Sequence, residues 1–379
     1  MLGTIRQVIL QPTSACNLNC GYCYVPNRRD SARMNDEVTE AAISKVLRSD
    51  LVGPQVEFLW HAGEPLMAGL PYYRRAMETI DRHNTRGVHV TRSLQTNGTL
   101  IDPAWCEFLS EHRFSVGLSV DGPEFLHDRQ RKNWGGRGSH DLVMRGHGLL
   151  KRYGIRHGAI CVLTRESLRH PDELFAFFLD NGFSSVAFNV EEVENDNTTS
   201  SLTGSEGDRA IESEYRRFMD RVYDLWQHNL DRISIREFDN LARVIAGKLR
   251  DRSYQRRPWE TEPLSIITIQ KNGDISTYSP EFAGARSVEY GDFVIGNVLA
   301  LEELTDILGS PALSRIARQV AAGISACARE CLFFDLCGGA YTSNKFFENK
   351  ALASTETTAC RLHRQTLSSL LIEKLSVSA

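Results

Sequence analysis

Along the first half of the chain, near-continuous apolar runs alternate with segments whose apolar positions recur every three or four residues. Residues 4–11 (TIRQVILQ) are β-branched and apolar and predict a strand. Residues 35–48 place Val38, Ala42, Val46 and Leu47 on one side, the spacing of an amphipathic helix. The same reading predicts strands at 55–60, 89–95, 114–120, 158–163 and 185–190, and helices at 71–83, 103–111, 142–153 and 171–181. Helix and strand therefore alternate about six times with short connections. That pattern predicts parallel βα units in an α/β fold, a partial (β/α)6 TIM-like barrel. Functional side chains on such a fold sit in the loops after the strands.

The second half reads differently. Residues 191–212 are acidic and polar (EEVENDNTTSS, then GSEGD) and predict a surface loop. A helical stretch is expected at 213–250, and the basic run 248–258 as a linker. Asn272-Gly273 between the apolar runs 264–270 and 275–279 is a strong hairpin signal. The expected division is 1–225 for the barrel, 226–260 for a helical linker and 261–379 for a small second domain.

Composition narrows the function. The 379 residues are 41% hydrophobic, enough for sizeable cores, and net charge is −4. Nothing in that balance favours nucleic acid or a membrane as partner. The start, MLGTIRQVILQPTS, has no signal-peptide pattern, and no run approaches the ~18 apolar residues of a membrane span. The expected location is the cytoplasm. There, nine cysteines argue against a disulfide framework. Cys106 and Cys161 stand alone in apolar runs and read as buried small hydrophobes. The other seven fall into two groups.

Cys16, Cys20 and Cys23 form C-x3-C-x2-C. Three thiolates bind three irons of a cubane [4Fe–4S] cluster and leave the fourth open. An open iron can chelate the amino and carboxylate groups of S-adenosylmethionine (SAM), and the reduced cluster can then cleave its carbon–sulfur bond to a 5′-deoxyadenosyl radical. A zinc knuckle is the competing reading, but three cysteines alone do not close a four-ligand zinc site. Cys327, Cys331, Cys337 and Cys360 close a cubane completely. A structural zinc site also fits their number.

The first group resembles the motif of the radical SAM superfamily, with Tyr22 before the last cysteine. The resemblance extends to His61-Ala62-Gly63-Glu64-Pro65, which is similar to the family's Gly-Gly-Glu-Pro loop against the SAM amino group. Ala62 replaces a glycine there. It extends also to Gln95-Thr96-Asn97-Gly98 and Ser119-Val120-Asp121-Gly122, expected near the ribose and methionine groups, and to Arg131, expected to pair the SAM carboxylate. The cofactor-binding set it implies is Tyr22, Gly63, Glu64, Pro65, Gln95, Asn97, Ser119, Asp121 and Arg131.

The C-terminal group resembles the SPASM or twitch-type extension of peptide-modifying members, with one auxiliary [4Fe–4S] cluster. The hairpin around Gly273 lacks the cysteines that flank it in the family, a departure that argues against a sulfatase maturase. The closer resemblance is to the cyclophane-forming GrrM/OscB-like maturases. It rests on QPTSACNLNCGYCYVPNRR, WHAGEPL, SVDGPEFLHDRQRKN, FNVEEVE, TYSPEFAG, CARECLFFDLCGGAYTSNKFFENK and TETTACRLH. It implies an oxidoreductase that joins an aromatic ring carbon to a β-carbon in a ribosomal precursor peptide carrying a leader. It also implies an external electron donor of flavodoxin or ferredoxin type. Thioether formation, epimerisation and sulfatase-maturase-like oxidation stay open as other outcomes, as does a non-catalytic peptide-binding or metal-structural role. Ring addition needs a base. Glu281 and Asp335 are the candidates. His61, Asn189 and Glu191 are candidate substrate contacts, the last two by their place after the sixth strand.

Overall fold

The computed structural model describes residues 4–203 and 208–377. Residues 204–207 of the expected acidic loop lie outside the described residues, as do 1–3 and 378–379 at the ends of the expected domains. One sheet holds β1 (Ile5–Gln11), β2 (Val52–Trp60), β3 (His89–Thr96), β4 (Ser115–Ser119), β5 (His157–Leu163), β6 (Ser185–Val190), β7 (Ser234–Ile235), β8 (Ile266–Gln270), β9 (Asp274–Thr277) and β10 (Gly296–Asn297). The strand order is β10-β9-β8-β1-β2-β3-β4-β5-β6-β7. Strands β1 to β8 pair in parallel, and β9 and β10 are antiparallel. The α/β class and the mostly parallel sheet are as the sequence predicts.

Between the parallel strands run α1 (Asp36–Arg48), α2 (Leu70–His83), α3 (Pro103–Glu111), α4 (Glu124–Gln130), α5 (His140–Arg152), α6 (Pro171–Asp180), α7 (Asp208–Gln227) and α8 (Arg236–Arg250). Local chemistry starts them: the Asn35 side chain accepts from Val38 N at 2.8 Å, and Asp102 accepts from Trp105 N at 2.9 Å. Helix α1 buries Val38, Ala42, Ile43, Val46 and Leu47, and each large side chain contributes about 1.5–3 kcal/mol. The β2 end is fixed by Trp60, 0% exposed, whose ring lies 5.7 Å from Tyr73 and 5.3 Å from Phe114. That anchor sets where residues 61–65 emerge. Cys106 and Cys161 are fully buried, as expected of small hydrophobes.

Two expectations are corrected. The stretch 213–250 is two helices, because the chain turns at Asn229 (Asn229 N to Trp226 O, 2.9 Å) and β7 then pairs with β6. Residues 191–203 of the expected surface loop are only partly exposed. Glu194, Asn197, Ser200 and Leu202 are buried, and α7 begins at Asp208. The segment folds inward because Asn195 donates to the carbonyls of Glu281 and Ala283, and Asp196 N to Tyr24 O. The sheet also runs across the expected boundaries at 225 and 260, since β7 joins β6 and β8 joins β1.

After the β8–β9 hairpin come α9 (Pro311–Glu330), α10 (Phe334–Cys337), α11 (Thr342–Asn349), α12 (Thr358–Cys360) and α13 (Leu367–Val377). No helix among the described residues is long and apolar enough to cross a membrane.

Candidate active site

The loop after β1 is held from both sides. Cys16 N donates to Arg28 O, Asn19 N to Lys132 O and Gly21 N to Gln130 O, at 3.0, 2.6 and 3.0 Å. Trp134 Nε1 donates to Cys16 O at 2.8 Å, and the Arg29 guanidinium lies 4.3 Å over the Trp134 ring. Cys16, Cys20 and Cys23 all line one cavity of about 210 Å³. Burial, then the nearby Glu64 charge, pushes the Cys16 thiol up to about 12. Burial pushes Cys20 up to about 11, against the pull of Arg131. Three thiolates crowded here need a cationic centre to hold them, so the donor set fits an iron–sulfur cluster.

The loop after β2 approaches this site through backbone. Ala62 and Gly63 have φ of +73° and +56°, and a Cβ at position 63 would stand 2.4 Å from Ala15 O. Only glycine fits position 63. Glu64 N donates to Ala15 O at 2.8 Å, tying the two loops together. The Glu64 carboxylate turns away from the cavity wall. It accepts from Leu66 N at 3.0 Å, Thr96 Oγ1 at 2.7 Å and Asn97 N at 2.8 Å. Burial still pushes it up to about 7. Glu64 is thus a clamp between the β2 and β3 loops, where an ammonium contact was expected. Pro65, buried, opens the short turn that follows. Asn97 reaches the cysteine loop: its Nδ2 lies 2.9 Å from Asn17 Oδ1 and 3.8 Å from Cys16 Sγ.

Arg131, like Glu64, is held by protein partners. Its Nε and Nη2 donate to Asp121 at 2.9 and 3.1 Å, a buried fork-to-carboxylate pair. Asp121 also accepts from Val162 N at 3.0 Å and from the Tyr22 hydroxyl. The guanidinium expected for a SAM carboxylate is committed to the protein, and through Tyr22 it braces the cysteine loop. Gln95, Asn97, Ser119, Tyr22, Gly63 and Arg131 line the cavity, and Glu64, Pro65 and Asp121 do not.

Part of the cavity lining is acidic. His61, Asn189 and Glu191 line the cavity as expected, with Glu192, Glu194 and Glu281. Asn189 Oδ1 accepts from Arg236 Nη2 at 2.6 Å, and Glu191 accepts from Ser201 N at 2.8 Å. Burial raises the Glu192 carboxyl to about 8, with the Glu281 charge next. Burial, then Glu281 and Glu192, raises Glu194 well above the usual range, and burial raises Glu281. Burial keeps His61 neutral, lowered to about 4. Sequence reading missed Glu192, Glu194 and Tyr24. The signal was the run EEVE directly after a strand, masked by its acidic composition.

The C-terminal cysteines gather from three helices. Cys327 lies in the last turn of α9, Cys331 caps that helix, Cys337 ends α10 and Cys360 ends α12. Burial raises the Cys360 thiol to about 12, and the charges of Cys337, Cys331 and Cys327 add to it. Four mutually repelling thiols suit a cationic cluster core, so this set also fits. Among the described residues, no group of three or more His, Cys, Asp or Glu is arranged to hold a single metal ion. Asp335, the other expected base, pairs with Lys248 at 2.6 Å, accepts from Gln255 and does not line the cavity. Of the two base candidates, only Glu281 reaches the cavity.

A family model described as the radical SAM superfamily matches residues 10–178. The uncharacterized protein sll1766 of Synechocystis sp. is 39% identical over 381 residues, 99% of this chain and 93% of that protein. The cysteine-type anaerobic sulfatase-maturating enzyme of Clostridium perfringens is 34% identical over 251 residues, 63% of this chain and 65% of the enzyme. Among solved structures, anSMEcpe with bound AdoMet superposes with a TM-score of 0.79 at 24% identity, covering 98% of both chains. Streptococcus suis SuiB bound to precursor peptide SuiA gives 0.64 at 17%, covering 95% of this chain and 76% of that one. These two structures share the fold.

Proposed function

The chain belongs to the radical SAM superfamily and is an enzyme, and on that premise we propose that it forms a carbon–carbon crosslink, ring carbon to β-carbon, in a ribosomal precursor peptide. The observation that carries this reading is one cavity lined both by Cys16, Cys20 and Cys23 and by Glu192, Glu194 and Glu281. We read the sheet as a partial barrel and the C-terminal cysteines as the ligands of an auxiliary cluster. Cys16, Cys20 and Cys23 would hold the SAM-binding [4Fe–4S] cluster, which supplies the 5′-deoxyadenosyl radical.

The protein's own groups then set the outcome. Backbone at Ala62 and Gly63, with Gln95, Asn97 and Ser119, would position SAM. A crosslink removes two hydrogens from the peptide: one hydrogen atom, then one electron and one proton. Glu281 or Glu192 takes that proton. Carboxyls raised toward neutrality by burial suit this task. A cluster held by Cys327, Cys331, Cys337 and Cys360 would supply an acceptor for the electron. Epimerisation would need a hydrogen donor such as a thiol, and the cavity's cysteines are all in the cluster set. An external flavodoxin- or ferredoxin-type protein would supply the electron that starts each turnover.

A second reading, sulfatase-maturase-like oxidation, is favoured by the Clostridium perfringens relative. Co-expression with a candidate precursor peptide that carries aromatic residues separates the two. Crosslinking predicts a loss of two hydrogens, with no fragmentation between the joined residues and no reaction with a hydrazide. A hydrazide-reactive product that fragments normally is formylglycine and would contradict the crosslink.

A further inference from the structure

Lys345, on α11, is 3% exposed. Its Nζ lies 3.3 Å from Cys327 Sγ and 2.9 Å from Gly339 O. No ion pair among the described residues gives it a carboxylate. An ammonium buried without a counter-charge is disfavoured by the loss of its hydration. The chain accepts that cost beside a cysteine. Two half-buried cations lie within electrostatic reach of other thiols of this set, Arg256 of Cys337 and Arg364 of Cys337 and Cys360. Arg364 is committed to Tyr341, its guanidinium 4.7 Å over that ring and donating to the hydroxyl.

We infer that Lys345 sets the reduction potential of a cluster held by Cys327, Cys331, Cys337 and Cys360, making it an electron acceptor. This rests on the auxiliary-cluster reading above. Four thiolates outweigh the charge of a [4Fe–4S] core, so the assembly is anionic and gains further negative charge on reduction. A fixed positive charge and an N–H···S bond at Cys327 stabilise the reduced form more than the oxidised form. The potential therefore rises, and an electron released when a substrate radical is oxidised can pass to the cluster. Lys345 is a positioning residue in this scheme: it acts through the cluster and touches no substrate.

The test uses the full chain with Cys16→Ala, Cys20→Ala and Cys23→Ala, so that only the C-terminal thiols can hold iron. After anaerobic reconstitution, iron is counted and the cluster is reduced stepwise under EPR. The parent should hold about four irons per chain. Lys345→Met and Lys345→Gln should keep that iron and lower the reduction equilibrium about tenfold, about 59 mV for one electron. Lys345→Arg should restore most of the shift. An unchanged midpoint in an iron-loaded Met or Gln variant overturns the inference. If neither variant holds iron while Lys345→Arg does, the lysine is a structural support and the inference falls. If the parent holds no iron, the auxiliary-cluster reading fails first and the inference with it.

Discussion

Replacing Asp121 or Arg131 tests whether the arginine serves the protein or SAM. Their side chains are 5% and 8% exposed. Asp121 accepts two bonds from Arg131, one from Val162 N and one from the Tyr22 hydroxyl. Removing one partner of a buried ion pair costs about 3–5 kcal/mol, because the other charge is stranded. Asp121→Ala and Arg131→Met should each lose that much. The double variant strands no charge, so it should cost far less than the sum, with a coupling energy of about 2–3 kcal/mol. Urea unfolding of the cluster-free protein, followed by tryptophan fluorescence, measures this as midpoint shifts at constant slope. If Arg131→Met left the midpoint unchanged and weakened only SAM binding, the guanidinium would belong to the cofactor and the internal pairing would be wrong.

Other outcomes follow from the same geometry. Burial raises Glu64 from 4.5 to about 7, so the folded state binds its proton more tightly than the unfolded state. Its contribution is present below pH 4.5 and lost as pH rises through 7, about 3 kcal/mol in all. Relative to Glu64→Gln, the cluster-free wild type should lose that stability across the window, and a gain would refute the burial reasoning. Gly63→Ala puts a Cβ 2.4 Å from Ala15 O at positive φ. It should cost about 2–5 kcal/mol and lower iron loading, whereas Ala62→Gly should be neutral or gain up to about 1 kcal/mol in urea unfolding. Glu281→Gln and Glu192→Gln should uncouple the enzyme. SAM cleavage should continue while modified peptide per 5′-deoxyadenosine falls about tenfold or more, and equal loss of both would remove these residues from the proton step.

How much of this was legible depended on the range of the interactions. Strands β1 to β6, helices α1, α2, α3, α5 and α6 and the Asn272-Gly273 hairpin follow from local periodicity and turn chemistry, and Gly273 has a positive φ of 88°. Helix α9 was readable too, from Leu313, Ile316, Val320 and Gly323 at helical spacing, and was passed over. The acidic wall was hidden because its burial is tertiary. Glu194 accepts from Asn344, 150 residues further along the chain, and composition alone argues for solvent. The Asp121 partner of Arg131 was not legible, because a guanidinium fork fits SAM and Asp121 equally well until the loop after β4 is seen to fold back. Asp335 looked placed for catalysis because it stands among cysteines, yet α10 turns it toward Lys248.

The most direct test of the account is SAM cleavage by the iron-loaded protein under strict anaerobiosis with a strong reductant. The wild type should hold about eight irons per chain and release 5′-deoxyadenosine. Cys20→Ala should retain the C-terminal iron and release none. Iron-loaded, reduced wild type that leaves SAM intact would contradict the claim that Cys16, Cys20 and Cys23 hold a SAM-cleaving cluster.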